Sequence, residues 1–144
     1  MFYQLAPEVA GGLGPETVFD RSQSPPIVRA LHYELDGWPD DDLITSFPCF
    51  IVTESMKKMI EEARASGCSF GPVKVTTSEQ FKDFKEFHQG QQLPKFSWLL
   101  IHGAAQQDDF GLSADGSLVV SESILEFLRK GRLDYCDITP IGSS

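Results

Sequence analysis

The sequence predicts a single α+β domain, mostly antiparallel sheet with about three helices, and three observations carry that prediction. Part of the chain is written twice: Val52-Thr53-Glu54-Ser55-Met56 returns as Val120-Ser121-Glu122-Ser123-Ile124, a shift of 68 residues. At the same shift Met59 meets Phe127, Ile60 meets Leu128, Arg64 meets Arg132, Cys68 meets Cys136 and Pro72 meets Pro140. Across Val52–Pro72, 6 of 21 positions are identical, and most other pairs keep apolar character or a capping hydroxyl. The repeat fixes two strand–cap–helix–strand units, about 50–75 and 118–141. Second, 144 residues is the length of one domain, and 41% hydrophobic residues with 11 Phe and 2 Trp suffice for a core. Third, the apolar runs are short and broken by Gly and Pro, which favours many short strands.

The elements follow in order. Phe2–Leu5 reads as an opening strand. Gly11-Gly12-Leu13-Gly14-Pro15 is expected to break regular structure. It is no phosphate loop, because no Lys-Ser/Thr follows the last Gly and Pro15-Glu16 opens no helix. Ser22–Pro26 reads as a rigid loop and Val28–Leu35 as a strand of mixed pattern. Asp36-Gly37-Trp38-Pro39-Asp40-Asp41-Asp42 must be a loop, with its carboxylates in water. Phe47–Val52 is a buried strand, and Thr53 caps a helix whose inner face is Met56, Met59, Ile60 and Ala63, with Gly67 as its stop. Val73–Thr76 alternates like a strand. Ser78 caps a helix over Glu79–Phe87, with Phe81, Phe84 and Phe87 on its core side. Phe96–Ile101 is a strong strand. Asp108–Leu112 and Leu118–Val120 flank a turn with Asp115-Gly116, a hairpin signal. Ser121 caps the last helix, whose inner face is Ile124, Leu125, Phe127 and Leu128 and which ends by Gly131; Tyr135–Ile138 closes the chain as a strand.

Composition bounds the function. The opening residues lack the basic region and apolar run of a secretory signal, and no apolar stretch approaches a membrane span. Three cysteines without paired spacing point to free thiols in a reducing, cytoplasmic setting. The net charge of −9 is uneven: residues 1–54 hold nine acids against two bases, a net −7. That balance repels phosphate, argues against nucleic acid, and suits a basic protein partner.

Catalytic signatures are missing from the pattern. His32, His88 and His102 show no metal spacing, Cys49, Cys68 and Cys136 no CxxC, and no serine sits in GxSxG. Cys68 and Cys136, at matching repeat positions, read as core-filling residues. No cofactor or metal is expected, and no enzymatic activity. The candidate partner-binding residues are Asp36, Trp38, Asp40, Asp41 and Asp42, joined by Asp108 and Asp109. Trp38 is either tucked into the core or offered as an interface anchor.

Glu8-Val9-Ala10-Gly11-Gly12-Leu13-Gly14, Leu31-His32-Tyr33-Glu34 with Asp36-Gly37-Trp38, Phe47-Pro48-Cys49-Phe50-Ile51-Val52-Thr53-Glu54, Asp108-Asp109-Phe110-Gly111-Leu112 and Leu118-Val119-Val120-Ser121-Glu122 together resemble a bacterial immunity-protein family linked to polymorphic toxins. The resemblance covers nearly the whole chain. It implies a cytoplasmic antidote that binds and blocks a toxin by protein–protein contact. The runner-up is a small-ligand binder or enzyme built on the Gly11–Gly14 loop and His32. A third possibility is a subunit of a larger assembly.

Overall fold

The computed structural model describes residues 1–20, 22, 27–85 and 91–141. The chain forms β1 (Phe2–Ala6), β2 (Gly11–Leu13), β3 (Val18–Asp20), β4 (Ile27–Leu35), β5 (Leu43–Ser46), β6 (Cys49–Thr53), α1 (Glu54–Glu62), β7 (Cys68–Gly71), β8 (Val73–Thr77), α2 (Phe81–Lys85), β9 (Phe96–Ile101), β10 (Phe110–Leu112), β11 (Leu118–Ser121), α3 (Glu122–Leu128) and β12 (Asp137–Ile141). The architecture is α+β with mostly antiparallel pairing; the β4–β8 pair is parallel. No helix among the described residues is long and apolar enough to cross a membrane.

The repeat in the sequence is a repeat in space. β5-β6-α1-β7 and β10-β11-α3-β12 are matching units, and their sheets run β5-β6-β9-β7 and β10-β11-β1-β12. In the first, β9 lies between β6 and β7; in the second, the N-terminal β1 takes that slot. The registers agree residue by residue. Phe50 faces Leu99 and Thr53 faces Phe96, while Leu118 faces Leu5 and Ser121 faces Phe2. Likewise Phe70 faces Leu99 as Ile138 faces Leu5.

Both helices start where a hydroxyl accepts an otherwise orphaned amide. Thr53 Oγ1 accepts from Met56 N and Ser121 Oγ from Ile124 N, each at 3.3 Å. α3 ends before Gly131 as expected, but α1 stops well short of Gly67. α1 closes at Ala63, and Arg64 takes the left-handed turn (φ 54°), before Gly67. Gly67 (φ 84°) serves a close approach instead: a Cβ there would lie 2.2 Å from the Phe110 carbonyl. Gly116 (φ 86°) does supply the hairpin turn between β10 and β11.

α1 and α3 pack on one face of the two sheets over a core of Val52, Met56, Ile60, Leu118, Ile124 and Leu128. Cys68 and Cys136, half-buried, both pack against this core. β6 is buried at every position, so its alternate side chains serve two cores, with Phe50 and Val52 on one side and Cys49 and Ile51 on the other. The second core is covered by a layer that the repeat does not contain: β2, β3, β4, β8 and α2.

That layer corrects the sequence reading at several points. Gly11–Leu13 is a strand paired with β4, where a break was expected. A Cβ at Gly11 would lie 1.9 Å from the Glu34 carbonyl oxygen, and one at Gly14 would lie 2.3 Å from the His32 ring. These glycines let two strands close. Of the helix expected over Glu79–Phe87, the described part begins at Phe81 rather than Glu79 and extends to Lys85, where the described residues stop. Phe81 is a core residue as expected; Phe87 and His88 fall outside the described residues, as does nearly all of the Ser22–Pro26 loop. β12 lies later than the closing strand expected. Phe47, read as the start of a buried strand, sits in the β5–β6 turn and is 62% exposed.

Candidate functional site: an acidic cleft beside Trp38

The segment Glu8–Ala10 and the loop Asp36–Asp42 meet because β2 pairs with the end of β4. Asp36 N and Gly37 N both donate to the Ala10 carbonyl, at 2.9 and 3.2 Å. Glu8 Oε1 accepts from Asp40 N and Asp41 N, each at 3.0 Å. Tyr33 pins the same region from within the core. Its hydroxyl donates to the Thr45 carbonyl at 2.9 Å and accepts from Ala10 N at 3.2 Å. Burial pushes the Tyr33 phenol up to about 12, so it remains a neutral donor.

Trp38 is half-buried. It packs against the second core and stacks on Phe81, with centroids 5.9 Å apart and planes inclined by 23°. Trp38 also lines two clefts. One, of about 440 Å³, is lined by Glu8, Val9, Asp36, Trp38, Asp40 and Gln80. The other, of about 450 Å³, is lined by Trp38, Asp40, Asp42, Gln91, Gln92 and Arg132 among others. Core and surface placements of Trp38 thus coexist: it packs on the second core and lines both clefts.

The acids fall into two groups, and the expected solvated loop is only partly that. Asp41 is 2% exposed; its oxygens accept from Asp134 N at 2.9 Å and Tyr135 N at 2.7 Å. Asp42 accepts from Thr53 Oγ1 at 3.1 Å and Arg132 N at 2.7 Å. Asp109 accepts from Ser121 Oγ at 2.8 Å and Ser66 N at 3.0 Å, and Asp108 from Ala104 N at 2.9 Å. These four carboxylates tie the fold together, and Asp108 and Asp109 line neither cleft. The carboxylates of Asp36 and Asp40 carry no hydrogen bond or ion pair among the described residues. Burial raises the Glu8 carboxyl above its ordinary value, and the charges of Asp40 and Asp41 push the same way, against the pull of the backbone amides of those residues.

Glu8, Asp36, Asp40 and Trp38 thus share one concave surface. Carboxylates gathered in a cleft suit a cation, either lysine ammonium or arginine guanidinium. Glu8 and Gln80 escaped the sequence reading because they reach the cleft from segments 28 residues before and 44 residues after Asp36. No local pattern marks them.

Other chemistry-bearing side chains are committed elsewhere. His32 is 4% exposed; Nδ1 accepts from Glu16 N at 3.2 Å, so the proton sits on Nε2, facing Thr76 Oγ1 at 2.7 Å. That is a satisfied core histidine. His102 Nε2 lies 2.5 Å from Ser69 Oγ on the surface, but among the described residues no third group orients the ring as acyl-transfer chemistry needs. Burial drives Cys49 and Cys136 to about 12 and Cys68 to about 11, away from nucleophilic use. Among the described residues no group of three or more His, Cys, Asp or Glu is placed to hold a metal ion. A comparison with protein-family models found no match, and neither did one with curated proteins.

Proposed function

We propose that this protein is a cytoplasmic immunity protein that neutralises a cognate bacterial toxin by binding it, without catalysing a reaction. The observation that carries the proposal is the convergence of Glu8, Asp36, Asp40 and Trp38 on one cleft. A basic side chain of the partner enters there. Its cation relieves the crowding of like charges around Glu8, and its alkyl stem lies along Trp38. The wider charge of −9 steers the approach of a basic surface and repels phosphate. The duplicated units serve as scaffold, and the added layer that builds the cleft carries the recognition.

The test starts by identifying the protein retained by this chain in a pull-down from its native host. On-rates are then compared at low and high salt for wild type and an Asp36→Asn/Asp40→Asn variant. Among the described residues these two side chains hold nothing in the fold, so the variant is expected to stay folded. Its association slows and its salt dependence flattens. Unchanged salt slopes, or a retained partner with an acidic contact face, would sink the assignment.

A further inference from the structure

A second surface has the opposite character. Between the two layers, at the end of β4 away from the acidic cleft, lies a cavity of about 240 Å³. Ile27, Pro48, Trp98, Leu100 and Leu112 help to line it, and among the described residues no charged one does. An apolar cavity of about 150 Å³ already holds a benzene ring, so a phenyl group fits here. At its margin Ile27 is 39% and Leu112 36% exposed. Phe47, next to Pro48, is 62% exposed, and its ring lies beside Gly116. One face of the molecule therefore presents an aromatic knob beside an apolar hole that accepts such a knob.

We propose that this face joins two copies of the chain, Phe47 of each entering the cavity of the other. Knob and hole on one patch is the arrangement an isologous twofold contact requires, because each surface must complement itself. Charge is compatible with the same occupant. A partner drawn by the −9 charge is basic and lands on the acids. A second copy bears the same −9 and meets least repulsion where the described lining is uncharged. Large exposed apolar side chains grouped around a cavity also mark a protein contact better than a small-ligand site, which encloses most of its ligand.

The two surfaces respond to salt in opposite directions. Raising salt from about 0.1 to about 1 M screens the repulsion between copies, so self-association tightens, whereas capture of a basic partner weakens. Sedimentation velocity of the full chain, from micromolar to millimolar concentration at both salts, is expected to show a monomer–dimer equilibrium shifted to dimer at high salt. Phe47→Ser is expected to weaken it by about thirtyfold or more. Because Phe47 also rests on Gly116, Leu112→Gln at the cavity margin is measured beside it, with thermal melting to confirm both folds. A monomer at millimolar concentration and high salt would overturn the proposal. So would a dimer indifferent to both variants. A chain that stays monomeric while binding the apolar dye ANS, with binding lost in Leu112→Gln, would overturn it in favour of a small-ligand pocket.

Discussion

Asp42 and Asp109 perform the same task from opposite halves of the molecule. Asp42 joins Thr53, the cap of α1, to the amide of Arg132 in the chain leaving α3. Asp109 joins Ser121, the cap of α3, to the amide of Ser66 in the chain leaving α1. Each carboxylate thus fixes the start of its own helix and the end of the other, and the two units cannot separate without breaking both.

Asp42→Ala and Asp109→Ala are each expected to destabilise by about 2 kcal/mol, the range for hydrogen bonds to a charged group whose partners are left unpaired. Urea unfolding measures this. A loss below about 0.5 kcal/mol in both variants would mean that water replaces the carboxylates and the clamp is idle.

The caps themselves give a second expectation. Thr53→Ala and Ser121→Ala cost about 0.5–2 kcal/mol each, and Thr53→Ser much less, because it keeps the accepting oxygen. Thr53 and Asp42 share a hydrogen bond, so their double variant loses less than the two single losses added together. Strict additivity would contradict the shared bond.

The glycine cluster separates sharply under alanine substitution. Gly11→Ala drives a methyl into the Glu34 carbonyl, a backbone atom that cannot step aside, and Gly14→Ala drives one into the His32 ring. Losses of about 1–3 kcal/mol are expected, as for overpacking. Gly12 has nothing within 4 Å of its would-be Cβ, so Gly12→Ala stays within about 0.5 kcal/mol of wild type. Equal melting temperatures for all three would disprove the close strand packing.

The three thiols set an alkaline limit. In the native state they titrate at about 11 to about 12, whereas in the unfolded chain they ionise near 8.5. Folding therefore favours the neutral thiol: the stabilisation is full below the unfolded value and is lost as pH rises from about 8.5 through the native values. The urea midpoint is expected to fall between neutral pH and pH about 10, and less steeply once all three are replaced by Ala. At pH about 8 a thiol titrating near 11 is roughly one part in a thousand thiolate. Native alkylation by iodoacetamide is accordingly slow, and it accelerates on adding denaturant; rapid labelling of the folded chain would contradict the burial.

By itself the sequence determined the elements whose signal is local. The repeated Thr/Ser-Glu-Ser step placed both caps, because a cap bonds an amide only three residues on. Short apolar runs placed β6, β9 and β11, since a strand buried on both faces needs no alternation. Asp115-Gly116 placed a hairpin, since few residues accept a positive φ. Tertiary structure decided whatever depends on a distant partner. Only the fold could show that β1 occupies in the second unit the slot that β9 fills in the first, because strand pairing joins residues more than a hundred positions apart. Only the fold divided the acids. Asp36 and Asp40 face a cleft, while Asp41, two residues before Leu43 in the same acidic run, is buried and held by the amides of Asp134 and Tyr135. A carboxylate is recognised in sequence by its charge, but whether water or a buried amide satisfies that charge depends on which segment the chain folds against it.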